Sequence, residues 1–187
     1  MKIDGNAIKI GILLEHKGKL WSVVKTQHVK PGKGGAYMQV ELKDIRSGSK
    51  LNERFRAGES VERVHLEEEE FQFLYKEGDG FVFMNNSNFE QIFLTSDQVG
   101  DGAVYLKENM TASISFYEGE VIGVVLPDTV IMEIAETEPV VKGQTATSSY
   151  KPAVLDNGVR IMVPPHIEAG IKVVVNTTDS SYVERAK

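Results

Sequence analysis

The sequence predicts an all-β protein assembled from small barrels. Three observations carry this. Short runs rich in Val, Ile, Phe and Tyr recur at close spacing along 187 residues. Glycine- and proline-centred turn chemistry separates them. Almost nothing between them has the period of a helix.

The elements follow in chain order. Leu20–Val24 and Tyr37–Leu42 flank a Gly/Pro segment. Phe71–Tyr75 and Phe81–Met84 flank Glu77-Gly78-Asp79-Gly80, a hairpin turn. Ser113–Tyr117 and Val121–Leu126 flank Glu118-Gly119-Glu120. Asp156-Asn157-Gly158 joins Pro152–Leu155 to Val159–Val163, and Asn-Gly favours the positive φ angles of a tight hairpin. Ile171–Val175 and Ser181–Val183 close the chain. Only Ser96–Val99 reads as helix, with Ser96 as its cap and Gly100 as its stop.

A composition switch into Glu67–Glu70 and the strand-ending Leu126-Pro127-Asp128 place two boundaries. The expected domains are 1–65, 66–128 and 129–187, each a size at which a small barrel benefits from neighbours. The second and third are runs of four to five short strands, consistent with two OB-like barrels.

Charge sharpens this division. The net charge is −6, but residues 1–65 hold 13 Lys/Arg against 7 Asp/Glu. Residues 66–129 hold 2 against 13. A basic head on an acidic body suits oriented docking against RNA better than unselective coating. With no cysteine, disulfides and thiolate metal sites are excluded. His16, His28, His65 and His166 are scattered without metal-ligand spacing, so no metal or other cofactor is expected. The apolar stretch Ile8–Leu14 is short and broken by Lys9 and Gly11, a poor signal peptide. No apolar run approaches the ~20 residues of a membrane helix, so the expected place of action is the cytoplasm, away from membranes.

The most informative stretch is Lys30-Pro31-Gly32-Lys33-Gly34-Gly35-Ala36. Pro31 fixes its own φ and cannot join a ladder. Gly32, Gly34 and Gly35 lack side chains and can adopt positive φ. Lys33 is the one large side chain at the tip, and can enter a crevice too narrow for a broader loop. A nucleotide-binding loop of the form Gly-x-x-x-x-Gly-Lys-Ser/Thr is excluded twice. Gly34 stands where the hydroxyl belongs, and a strand follows where a helix should start.

This loop, the basic first segment and the three-part layout resemble bacterial elongation factor P. A second match is independent of the loop. The family's C-terminal pattern is filled at every fixed position by Lys151, Ala153, Gly158, Ile161, Val163, Pro164, Ile167 and Gly170. The resemblance implies an SH3-like (KOW-type) barrel followed by two OB barrels. It implies a monomeric factor with no catalytic residue, which binds the ribosome between the peptidyl and exit sites and acts at consecutive prolines. Its partners would be ribosomal RNA and the peptidyl-site tRNA, with Lys30, Pro31, Gly32, Lys33, Gly34 and Gly35 aimed at the peptidyl transferase centre. Lys33 matches a lysine that in many members a dedicated enzyme extends with β-lysine. Tyr182 and Arg185 match a pair near the anticodon stem or small subunit. Gly143, Gln144 and Thr145 match a codon-side loop that in relatives commonly reads Gly-Asp-Thr, so Gln144 is a departure. The alternatives are the elongation factor P-like paralogue and a generic OB-fold RNA binder. The second needs a basic groove, and residues 66–129 carry only Lys76 and Lys107.

Overall fold

The computed structural model describes residues 1–139 and 149–187. Of these, 56% are strand and 7% helix. The strands fall into three antiparallel sheets, two of them curled into half-barrels.

The first sheet contains β1 (Lys2–Asp4), β2 (Leu13–His16), β3 (Lys19–Val29), β4 (Tyr37–Asp44), β5 (Lys50–Arg56) and β6 (Ser60–Val64), in the order β1-β6-β2-β3-β4-β5. Alternation decides its inner face. In β4, Met38, Val40, Leu42 and Asp44 point inward, between outward or half-buried neighbours. With Leu14, Trp21, Val23 and Phe55 the three apolar ones form the first core. Trp21 satisfies its indole by donating to the His16 carbonyl at 2.9 Å. The buried Asp44 carboxylate accepts from the backbone N–H groups of Arg46 (2.9 Å) and Ser47 (3.3 Å). The Arg46 bond is the main cause holding its pKa below the usual value. At Gly5 a Cβ would lie 2.2 Å from the Arg56 carbonyl oxygen, so the chain passes there only without a side chain.

The second sheet contains β7 (Glu67–Glu77), β8 (Gly80–Asn85), β9 (Gln91–Thr95), β10 (Thr111–Tyr117) and β11 (Glu120–Val125), in the order β11-β10-β7-β8-β9. Glu67–Glu70, the composition switch that marked the first boundary, are the exposed first residues of β7. The short helix α1 (Ser96–Val99) forms as expected, but its cap is Thr95. The Thr95 hydroxyl accepts from Gln98 N–H, and the Gln98 side chain accepts from Thr95 N–H, a reciprocal capping box. Ser96 instead donates to the Asp79 carbonyl.

The third sheet contains β12 (Thr129–Thr137), β13 (Lys151–Leu155), β14 (Arg160–Val163), β15 (Lys172–Asn176) and β16 (Tyr182–Arg185), in the order β14-β13-β12-β15-β16. The Asn157-Gly158 turn is wider than expected. Gly158 has φ 85° and Asn157 has no positive φ, because Leu155 and Val159 close a three-residue loop.

By packing, the chain forms two units. The first is Met1–Glu67 with the hairpin tip Phe116–Ile122, where Arg46 pairs with Glu120 at 2.8 Å. The second is Glu68–Ser115 with Gly123–Lys187. In the second unit the stretch after Gly100 is a 3₁₀ helix, Asp101–Tyr105. It inserts Tyr105 into the core of the third sheet among Val130, Met132, Ile134, Leu155 and Ile167.

Candidate nucleic-acid interface

β3 and β4 form a long hairpin whose last pairs are His28 with Met38 and Val29 with Tyr37. Beyond them the chain leaves the ladder, and Lys30 to Gly35 are all exposed. Of the three glycines able to adopt positive φ, only Gly34 does so, at φ 108°. At Gly32 and Gly35 an added Cβ would meet nothing within 4 Å. Gly34 therefore shapes the backbone, while the other two keep bulk away from Lys33. Neither Lys30 nor Lys33 is in an ion pair among the described residues.

The glycines should therefore respond differently to substitution. A side chain at Gly34 meets a backbone conformation that L-residues disfavour by roughly 1–2 kcal/mol, and a β-branched one more strongly. Gly34→Val is expected to reshape the loop, read as shifted backbone amide resonances over residues 30–36, while Gly35→Ala stays near wild type. Melting temperatures should barely move for either, since the loop is exposed. Equal shifts in the two variants would show that φ at position 34 is unimportant.

The outer face of the hairpin is basic. Register places Lys25, Gln27 and Val29 of β3 beside Glu41, Gln39 and Tyr37 of β4, and these beside Asn52, Arg54 and Arg56 of β5. Lys43 and Lys50 continue the same face. The one carboxylate there, Glu41, is held by Lys50 at 3.0 Å and Lys25 at 3.8 Å. The Lys50 hydrogen bond is the leading cause that lowers its pKa. The Arg54 guanidinium lies 5.3 Å from the Tyr37 ring centroid, stacked over it. Five cations against one anion give this face the character of a phosphate-binding surface. Sequence reasoning marked residues 1–65 as basic as a whole but did not single out Lys50, Arg54 and Arg56. Their even spacing was the available signal, since residues two apart in a strand share a face.

At the other end of the chain, Tyr182 and Arg185 are three residues apart, a spacing that in a regular strand points side chains to opposite faces. A bulge between them changes this. Val175 pairs with Tyr182 and Val174 with Glu184, leaving Val183 as the extra residue. Arg185 pairs with Val173. Tyr182 and Arg185 thus stand opposite Val175 and Val173, on one face of β16. Tyr182 is half-buried against the third core and Arg185 is exposed. Gly143, Gln144 and Thr145 lie outside the described residues. Among the described residues no group of three or more His, Asp or Glu could hold a metal, and no helix is long and apolar enough to cross a membrane.

Comparison with known proteins agrees along the whole chain. Residues 4–61 match the family model described as "Elongation factor P (EF-P) KOW-like domain". Residues 66–124 match "Elongation factor P (EF-P) OB domain", and residues 130–185 match "Elongation factor P, C-terminal". Elongation factor P of Parvibaculum lavamentivorans is 55% identical over 186 residues, with 100% of both chains covered. That of Brucella abortus (strain S19) is 56% identical over 186 residues, again with 100% of both covered. Among solved structures, eukaryotic translation initiation factor 5A from Methanococcus jannaschii superposes with TM-score 0.55 at 22% identity, over 66% of this chain and 88% of that one. At that identity the likeness speaks for the fold alone. A KOW-like barrel followed by OB-type barrels, with these relatives, defines a non-enzymatic translation factor. Within that class the chain belongs to the elongation factor P family.

Proposed function

We propose that this elongation factor binds the ribosome between the peptidyl and exit sites and promotes peptide bond formation at consecutive prolines. The observation that carries this reading is Lys33, exposed and glycine-flanked at the end of a hairpin whose outer face is basic. The working division is a basic head, 1–65, that faces RNA, followed by barrels at 66–128 and 129–187. The face around Lys43, Arg54 and Arg56 lies along the peptidyl-site tRNA, and the Lys33 loop reaches its reactive end. Tyr182 and Arg185 approach RNA from the third sheet, with Gly143, Gln144 and Thr145 on the codon side. Lys33 is the substrate of a lysine-modifying enzyme, and the chain works as a monomer in the cytoplasm.

The chemistry needs only position. Proline's nitrogen is a secondary, sterically restricted amine, so reaction depends on a correctly held peptidyl-tRNA, and positioning supplies large rate factors. The ribosome provides the catalytic surface. A cation near the tRNA's terminal nucleotides adds charge-assisted hydrogen bonds to phosphate or ribose oxygens.

The orientation is tested by salt. Ribosome affinity should fall as salt rises, by roughly 0.7–0.9 log units per log unit of salt for each phosphate contacted. Reversing Lys30, Lys43 and Arg54 together to Glu should weaken binding at least tenfold at low salt and flatten the slope, with the fold retained. Unchanged affinity across the salt series would overturn the proposed docking face.

A further inference from the structure

Tyr150 sits just before β13 and is 52% exposed. Its ring meets that of Tyr182 edge to face, with centroids 6.4 Å apart and planes at 85°. Tyr182 packs its other side against the third core. Tyr150 is thus the more exposed of the two rings, and the half-buried Tyr182 is the floor beneath it. Arg185, opposite Val173, shares one face of β16 with Tyr182, opposite Val175. Burial first, then Tyr150 and Glu184, raise the pKa of the Tyr182 phenol. Arg185 is exposed, and none of the described ion pairs involves it. Lys151, next in the chain, is turned away to the Glu138 carbonyl at 2.6 Å.

This is an unusual place for an exposed ring. Tyrosine is large and half apolar, and a solvated loop residue before a strand has no packing need for it. An exposed ring on an aromatic floor, with an unpaired guanidinium alongside, matches what one unpaired nucleotide requires. The base stacks on the ring, and the guanidinium meets the adjoining phosphate.

We propose that Tyr150 is a base-stacking residue for a single unpaired RNA nucleotide, with Tyr182 as its floor and Arg185 on the neighbouring phosphate. The inference rests on the ribosomal reading for the source of the RNA. It shifts the contact from Tyr182, the tyrosine legible in the sequence, to one that only the folded chain brings beside it.

The test titrates the full-length chain onto ribosomes stalled on a Pro-Pro-Pro template, over a salt series. Tyr150→Ala is expected to weaken binding about tenfold, within the range of one lost base stack, and to leave the salt slope unchanged. Tyr150→Phe should bind like wild type. Tyr150→Leu still covers Tyr182 but offers no stacking face, so it should weaken binding as Ala does. Arg185→Ala should reduce the salt slope by about one. Chemical probing should show one nucleotide newly reactive in the Tyr150→Ala complex. If wild type binds and Tyr150→Ala or Tyr150→Leu binds equally well, Tyr150 is only a cover and the inference fails. An affinity loss with an unchanged probing pattern would overturn the assignment to RNA. If wild type itself does not bind the stalled ribosome, the ribosomal reading fails first.

Discussion

Tyr105→Ala should destabilise the second unit by about 3–5 kcal/mol, the range for emptying a buried aromatic site. Tyr105 is 2% exposed, and its side chain lies in the core of the third sheet although it leaves a 3₁₀ helix between β9 and β10 of the second. Its hydroxyl bonds Ser180 at 2.5 Å. From the residue before it, the Val104 carbonyl accepts from the Asn157 side chain at 2.9 Å. Tyr105 is thus a large apolar body that the chain of the second sheet lends to the core of the third, and the two sheets share one strand order. Tyr105→Phe removes only the hydroxyl and should cost about 1 kcal/mol, the net worth of one such bond. Calorimetry checks both variants. At ~2–8 °C of melting temperature per kcal/mol for domains of this size range, Tyr105→Ala should lose on the order of 10–20 °C. It should also split the joint melting of residues 68–115 and 123–187 into two transitions. A single transition at the wild-type temperature would show that the two sheets do not depend on this side chain.

What the sequence made legible was local. Turn pairs such as Glu118-Gly119 and the isolated Lys33 needed only neighbouring residues to be read, and both lie where expected. The α1 cap was legible but misread. Thr95 and Ser96 are both capping types, and Gln98 decides between them by standing three residues after Thr95. β12 was equally available: Val130, Met132 and Ile134 alternate with exposed residues, a period-2 pattern that went unused. The rest depended on pairing between distant segments. Arg54 becomes part of a basic face only once β5 is in register with β4. The bulge at Val183 is set by β15, so the common face of Tyr182 and Arg185 does not follow from their spacing. The place of Tyr105 follows from packing across 75 residues of chain to Ser180.

Lys33→Ala should abolish most rescue at consecutive prolines and leave folding untouched. Lys33 is exposed at a loop tip, and surface changes of that kind stay within about 0.5 kcal/mol of wild type. Its proposed contribution is therefore separable from stability. One charge-assisted hydrogen bond is worth about 1.5–3 kcal/mol. Acting fully on the barrier, that is roughly ten- to a hundredfold in rate. Lys33→Arg distinguishes charge from shape. Arginine keeps the charge, but its planar fork is wider than an ammonium, and it cannot carry an acyl group on a lysine amine. It should be partly active at best. Intact mass and peptide mapping of natively expressed protein would show whether Lys33 is extended, and an unextended Lys33 would sit between Ala and the extended form in activity. The measurement is the rate of peptide bond formation on a Pro-Pro-Pro template with each variant at equal ribosome occupancy, beside melting curves. Equal occupancy matters because the basic face around Lys43 and Arg54 is expected to supply binding, while Lys33 is expected to act on the barrier. If Lys33→Ala then rescues as well as wild type, the loop is not the working part, and the factor acts through the placement of its barrels.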